Sequence, residues 1–227
     1  ILYFTNTFSH YRTPIWKKLM ELKKHEIFFY FSFESFSGIE RSKWESNFFR
    51  SIKNLKFFGV VFWQIGVLKK VIFDNYDSLL LLGEMTILSN WFAPIIARIR
   101  NKKVIFWGHG MYGNEKGLKR ILRLSFLRLS KYHLLYGNHA KKLLINEGFK
   151  SENLQVIYNS LDVKTQNKYY FKKKINTQIN FIKTEKFILF TGRITKIKQL
   201  ELLFKALEIL NKKKDYLSLI IVGEGNE

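Results

Sequence analysis

Four loops in this sequence hold residue types that can bind anions, orient sugars or move protons. Thr191-Gly-Arg-Ile-Thr-Lys-Ile-Lys198 lies between an apolar run and a helical pattern. Arg193 and Lys198 therefore stand beside a helix N-terminus, a pairing that suits a diphosphate and equally describes two solvated cations in a Lys-rich chain. In Trp107-Gly-His-Gly110 the glycines permit close backbone approach, and His109 can exchange hydrogen bonds or a proton near neutral pH. The same four residues also fit a tight turn with a satisfied imidazole. Asn6-Thr-Phe-Ser-His-Tyr-Arg12 leads into a helix, so His10 and Arg12 can reach a phosphate or a sugar hydroxyl, or form a simple capping loop. Having no glycine, it is no dinucleotide fingerprint. Tyr158-Asn-Ser-Leu-Asp162 reads best as an Asx-turn. Glu84 follows an apolar run and could serve as a base, with no partner evident in the sequence. The sequence has no Walker A loop, no Gly-x-Ser-x-Gly elbow and no metal-type cluster of His and acids, so no metal and no cofactor are expected.

The elements that must position these loops alternate. Strands are predicted over 1–5, 26–33, 55–62, 78–82, 103–107, 132–136 and 154–158. Helices are predicted over 11–24, 64–75, 86–100 and 138–147, with a further basic helix within 116–131. Pro14 fits a first helical turn. Residues 35–54 carry no clear period. The strands are short and apolar with little polar alternation, the pattern of a parallel sheet covered on both faces. The fold class is therefore α/β, a doubly wound Rossmann-like domain over 1–161. A polar connector, 162–186, carries Lys172-Lys173-Lys174. Strand 187–191, helix 199–213 and strand 217–222 then begin a second Rossmann-like domain over 187–227. Two strands and a helix cannot bury both their faces, so the chain reads as a fragment cut in mid-domain.

Composition narrows the class. The chain has 227 residues, 47% of them hydrophobic and 17% aromatic, too apolar for a disordered tail. Zero cysteines exclude disulfides and thiolate chemistry. No run approaches the roughly 20 apolar residues of a membrane span. The net charge of +21 comes mostly from Lys scattered along the chain. That distribution suits solvated faces first, an anionic membrane surface second and nucleic acid least. The membrane case is sharpest at 116–131. There Lys116, Lys119, Arg120, Arg123, Arg128 and Lys131 form a basic stripe beside Leu118, Ile121, Leu122 and Leu124.

FILFTGRITKIKQLELLFKALEIL followed by LSLIIVGEGNE resembles the start of the C-terminal domain of glycosyltransferase family 4 ("group 1") enzymes. VIFWGHG, LLYGNHAKKLLINEGF and VIYNSLD are similar to the family's N-terminal domain and crossover. FTNTFSHYRTPIWKKL resembles a subgroup with Tyr-Arg in its first loop. The resemblance implies a GT-B fold and retaining, metal-independent transfer of a sugar from a nucleotide-sugar donor to a glycan or lipid-linked acceptor. It implies that Arg193 and Lys198 neutralise the donor diphosphate, with Gly192 letting the loop approach it. It places His109 at the reacting sugar, Asn6, His10 and Arg12 on the acceptor side, and Gly223 and Gly225 near the nucleotide base. The family's acidic motif, two Glu seven residues apart, falls beyond Glu227, so the fragment alone is expected to be inactive. The resemblance further implies a cytoplasmic enzyme of bacterial cell-envelope polysaccharide synthesis, peripheral on the inner membrane face. The rival readings are a nucleotide-sugar epimerase of the same fold and a non-enzymatic basic protein that binds membrane or nucleic acid.

Overall fold

The computed structural model describes residues 1–32, 42–159, 162–172, 186–213 and 217–225. Contacts divide the chain into Ile1–Asn167 and Lys168–Glu227.

The first unit is built on seven parallel strands. These are β1 (Leu2–Thr7), β2 (Phe28–Ser32), β3 (Phe49–Ser51), β6 (Ser78–Leu82), β7 (Lys103–Gly108), β8 (Tyr132–Leu135) and β9 (Leu154–Val156). Their order is β3-β2-β1-β6-β7-β8-β9, so the sheet grows outward from β1 in both directions. Loops leaving β1 and β6 therefore diverge, which opens a crevice at the carboxyl ends of the strands. Helices α1 (Thr13–Glu21), α2 (Val67–Phe73), α3 (Ser89–Ile99), α4 (Gly117–Leu127) and α5 (Asn138–Asn146) connect them. The predicted helix over 11–24 is shorter than expected. A 3-10 turn takes His10–Arg12, and α1 proper starts at Thr13 with Pro14 in its first turn, where no amide donor is missed.

The inner strands β1, β2, β6 and β7 bury both faces, which explains the missing polar alternation. Leu2 and Phe4 of β1 join Leu79, Leu81, Phe106 and Leu127 in one core. Tyr3, between them, points to the other side, where Phe8, Trp16, Phe29, Phe31 and Trp107 form a second, almost wholly aromatic core. Tyr3 and Trp107 stack at 5.9 Å, and Trp16 meets Trp107 edge-on at 5.2 Å. Such pairs add to area burial because their quadrupoles interlock.

Residues 55–62, expected as one strand of the sheet, instead turn back on themselves. β4 (Asn54–Phe57) and β5 (Val61–Gln64) form a separate antiparallel hairpin around Phe58-Gly59-Val60. Phe58 has φ 46° and Gly59 φ 79°. The glycine makes the tight reversal accessible, and Phe58 accepts a left-handed conformation that bulky residues avoid. Residues 35–54, unreadable in the sequence, contribute β3; 33–41 lie outside the described residues.

His133 on β8 is 1% exposed and packs edge-on to Phe106 and Phe149. Its Nε2 lies 3.2 Å from the Ser130 carbonyl oxygen, so the neutral ring donates there. Burial lowers its pKa from 6.5 to about 4. Folded protein thus resists protonation that the unfolded chain accepts. The stability this group supplies is complete above the unfolded value and is lost as pH falls from 6.5 toward 4, about 3 kcal/mol in all. All five Trp lie in the first unit, so urea denaturation followed by Trp fluorescence reads that unit alone. His133→Leu should show a smaller loss between pH 7 and 4 by about that amount.

In the second unit β10 (Phe187–Thr191) and β11 (Ser218–Val222) pair in parallel, joined by α7 (Leu200–Lys212). α6 (Val163–Lys172) runs from the first unit into the second, its first turn capped by Asp162 Oδ1, which accepts from the Thr165 amide at 3.1 Å. Beyond the strand ends the two chains stay together. The Gly192 amide donates to the Val222 carbonyl at 3.0 Å, and the Ile194 amide to the Glu224 carbonyl at 2.9 Å. A Cβ on Gly223 would overlap the carbonyl oxygen of Gly192, and one on Gly225 the carbonyl oxygen of Ile194. Gly225→Ala should therefore pry the two loops apart and destabilise this unit by at least about 2 kcal/mol. Faster hydrogen exchange at the Gly192 and Ile194 amides, with the first unit unchanged, would register it.

Candidate functional site

The carboxyl ends of β1, β6, β7 and β8 bring most of the sequence-predicted residues of the first unit together. The β6–β7 ladder continues one step past the strands, with the Gly83 amide donating to the Trp107 carbonyl at 2.9 Å. Gly83 and Gly108 then face each other so closely that a Cβ on Gly108 would sit 3.4 Å from the Gly83 backbone. Glu84 and His109 follow as neighbours on adjacent strand ends. Gly110, at φ 64°, makes the next bend, a conformation that L side chains rarely adopt, and a Cβ there would lie 3.0 Å from a Leu135 methyl group.

The His109 ring stacks on Tyr112 at 5.3 Å and meets Tyr136 edge-on at 4.7 Å. Partial burial lowers its pKa, and the nearby charges of Arg12 and Arg123 lower it further. The imidazole is thus neutral at neutral pH, able to donate from one nitrogen and accept at the other. Glu84 is half-buried, and that burial raises its pKa while Arg123 opposes the shift. Arg123, whose ion pair is with Glu115, acts on Glu84 only as a nearby positive charge, and the Tyr112 and Tyr136 phenols are close enough to feel the charge of Glu84.

Arg12 is drawn inward. Its guanidinium lies 5.4 Å from the ring centres of both Trp107 and Tyr136, and it donates a hydrogen bond to the Tyr136 hydroxyl. It shapes the floor beside His109. Asn6 is anchored too: its Oδ1 accepts from the Thr7 amide at 2.9 Å, and its carbonyl accepts from Asn54 Nδ2 at 3.2 Å. His10 stays exposed and lines a cavity of about 430 Å³ with Tyr11, Lys17, Asp162 and Gln166.

Sequence reasoning missed the clamp that holds the His109 loop. Glu115 Oε1 accepts from the Tyr112 amide and Oε2 from the Gly113 amide, both at 2.9 Å. Arg123 Nε lies 3.1 Å from Glu115 Oε1, and Arg123 Nη1 donates to the Gly110 carbonyl at 3.0 Å. Both side chains are buried. Arg123 thus leaves the expected basic stripe of 116–131, because it points into the unit rather than to solvent. Arg120 is also engaged, in a bidentate pair with Glu147. Lys116 and Lys119 remain exposed beside Leu118, Ile121 and Leu122. The available signal was a charge at 123 between Leu122 and Leu124, on the apolar side of an amphipathic helix.

In the second unit Gly192 and Arg193 leave β10 and pass into a 3-10 turn, Lys196–Lys198, directly before α7. Arg193 and Lys198 are exposed. Gly223 and Gly225, expected near a nucleotide base, brace this loop through the contacts described above. Among the described residues no group of three or more His, Asp or Glu is placed to hold a metal ion. Nor is any helix there long and apolar enough to cross a membrane.

Residues 171–227 match the family model of glycosyl transferases group 1. The fold is of the GT-B type. Solved structures similar to this chain include a Methanocaldococcus jannaschii UDP-GlcNAc 2-epimerase in complex with UDP-GlcNAc and UDP, at 14% identity and TM-score 0.53, covering 97% of this chain and 66% of that one. The UDP-GlcNAc 2-epimerase of Neisseria meningitidis bound to UDP-GlcNAc gives 16% identity, TM-score 0.52 and coverage of 97% and 66%. The lipopolysaccharide outer core galactosyltransferase WaaB gives 14% identity, TM-score 0.53 and coverage of 99% and 61%. No curated protein matches significantly. The first structures that the chain matches are longer, and it spans 61–66% of their length.

Proposed function

We propose that the protein is a glycosyltransferase that moves a sugar, with retention, from a nucleotide-sugar to a glycan or lipid-linked acceptor in cell-envelope polysaccharide synthesis. The observation that carries this reading is the group 1 match over 171–227, which contains the Gly192-Arg193 loop, Lys198 and the Gly223–Gly225 brace. Arg193 and Lys198 neutralise the diphosphate as the nucleotide leaves. Charge develops there in the transition state, so fixed cations accelerate the step without a divalent ion. Neutral His109 orients the donor sugar, and Asn6, His10 and the Arg12–Tyr136 floor form the acceptor side. Lys116, Lys119 and the exposed leucines of α4 offer an anionic membrane surface one point of contact.

The epimerases among the similar structures make the rival reading concrete. The full-length protein is incubated with UDP-GlcNAc and other labelled nucleotide-sugars plus a glycolipid extract. Label in the glycan or lipid fraction, with the anomeric configuration kept, is the expected result. Free epimerised sugar nucleotide with no acceptor product would overturn the transferase reading.

A further inference from the structure

The β4–β5 hairpin ends in a surface that a water-facing protein rarely builds. Phe58 at its tip is 98% exposed, flanked by exposed Phe57 and Val60. It holds this position at φ 46°, a conformation that asparagine or glycine would adopt at far less cost. The base of the hairpin is rigid. Gln64, 1% exposed, donates from Nε2 to the Thr5 carbonyl and to Asn54 Oδ1. Phe62 exchanges backbone hydrogen bonds of 2.8 Å with Thr86 and Leu88 at the entrance to α3. The apolar surface continues from there. Trp63 packs against Phe92 at 6.0 Å, and Phe92, Ile95 and Ile99 form an exposed stripe at helical spacing along α3. Contiguous apolar surface of this kind marks an interaction site.

Charge selects the partner. From Ser46 to Phe73 the sequence holds Arg50, Lys53, Lys56, Lys69 and Lys70 and no Asp or Glu. All five cations are exposed. Lys70 is paired with Asp74 at 3.5 Å, but Lys56 in β4 and Lys53 just before it put exposed cations on the hairpin itself. An aromatic tip beside these lysines complements an anionic bilayer, whose headgroups attract the lysines while the rings enter the acyl boundary. A second protein surface would need acidic groups around an apolar socket, and this chain, at +21, is poorly suited to supply one to its own copy.

We propose that the β4–β5 hairpin and the outer stripe of α3 dock on an anionic lipid bilayer, with Phe57 and Phe58 inserting into it. The hairpin hangs from Thr5 and Asn6, so docking sets the membrane beside the candidate acceptor side of the site. The inference stands without the transferase reading, and its test reads no sugar transfer.

The full-length protein is sedimented with vesicles of phosphatidylglycerol and phosphatidylcholine, and with phosphatidylcholine vesicles alone. Binding to the anionic vesicles only is expected. Phe57→Ser with Phe58→Asn should weaken it by about tenfold or more, because two aromatic side chains no longer leave water. The Tm should not fall, since Asn tolerates the left-handed turn. Lys53→Glu with Lys56→Glu should weaken binding by a similar factor. Wild-type binding by the Phe variant would overturn the proposal, placing the contact elsewhere, such as on α4. Equal binding of the wild type to neutral vesicles would overturn it as well. So would a dimer that ignores vesicles and dissociates in the Phe variant, which would make the patch an interface between copies.

Discussion

Replacing Arg193 and Lys198 together by alanine in the full-length protein is expected to lower sugar transfer by about a thousandfold while the fold survives. Both residues are exposed, on a loop held by backbone contacts with 223–225. Truncating them removes charge without opening a cavity. In the proposed reaction the leaving nucleotide gains negative charge as the glycosidic bond breaks, and the two cations before α7 would stabilise that charge. About 4 kcal/mol of lost transition-state stabilisation corresponds to this factor. Arg193→Lys alone should recover only part of the rate, since an ammonium cannot bridge two phosphate oxygens as a guanidinium does. The check is initial velocity with labelled donor, paired with hydrogen exchange over β10 and β11 to verify folding. A double variant with unchanged turnover would remove both residues from the site.

The fold was legible where hydrophobic pattern and turn residues agreed. Strand β6 at 78–82 and strand β10 at 187–191 coincide with their predicted ranges, and the parallel α/β arrangement followed from strands apolar on both faces. The hairpin was not legible, because Leu55 to Phe62 is a continuous strand-like run broken only by Gly59, and its reversal rests on a Phe in a conformation that propensity disfavours. Within the site, His109 and the flanking glycines were readable from their types and spacing. The inward course of Arg12 was not, since stacking on Trp107 and Tyr136 joins residues about a hundred positions apart. Long-range pairing of this kind leaves no local signature. The buried pair of Glu115 and Arg123 escaped for a related reason: eight residues separate them, and a loop-to-helix clamp has no period.

That clamp yields the largest stability effect in the first unit. Glu115→Ala is expected to cost about 3–5 kcal/mol, because it strands the Arg123 guanidinium without a counter-charge in a water-poor interior. Two amides, of Tyr112 and Gly113, lose their acceptor in the same step. Burial alone would raise the Glu115 pKa, but the amides of Tyr112, Glu115 and Gly113, together with Arg123, hold it below the ordinary carboxylate value. Stability from this group is therefore present above the unfolded pKa and is lost as pH falls through the folded one. The penalty of the variant should shrink in strong acid, where wild type loses the charge as well. A Glu115→Leu, Arg123→Met pair removes both charges and should regain the part of the loss that comes from the stranded guanidinium, but not the part from the unpaired Tyr112 and Gly113 amides. Urea titrations read by Trp fluorescence separate these outcomes. The same clamp fixes the Gly110 carbonyl one residue after His109, so the double variant should keep its fold yet bind donor with a poorly placed imidazole. A double variant that matched wild type in both stability and turnover would show that the loop holds His109 without the ion pair.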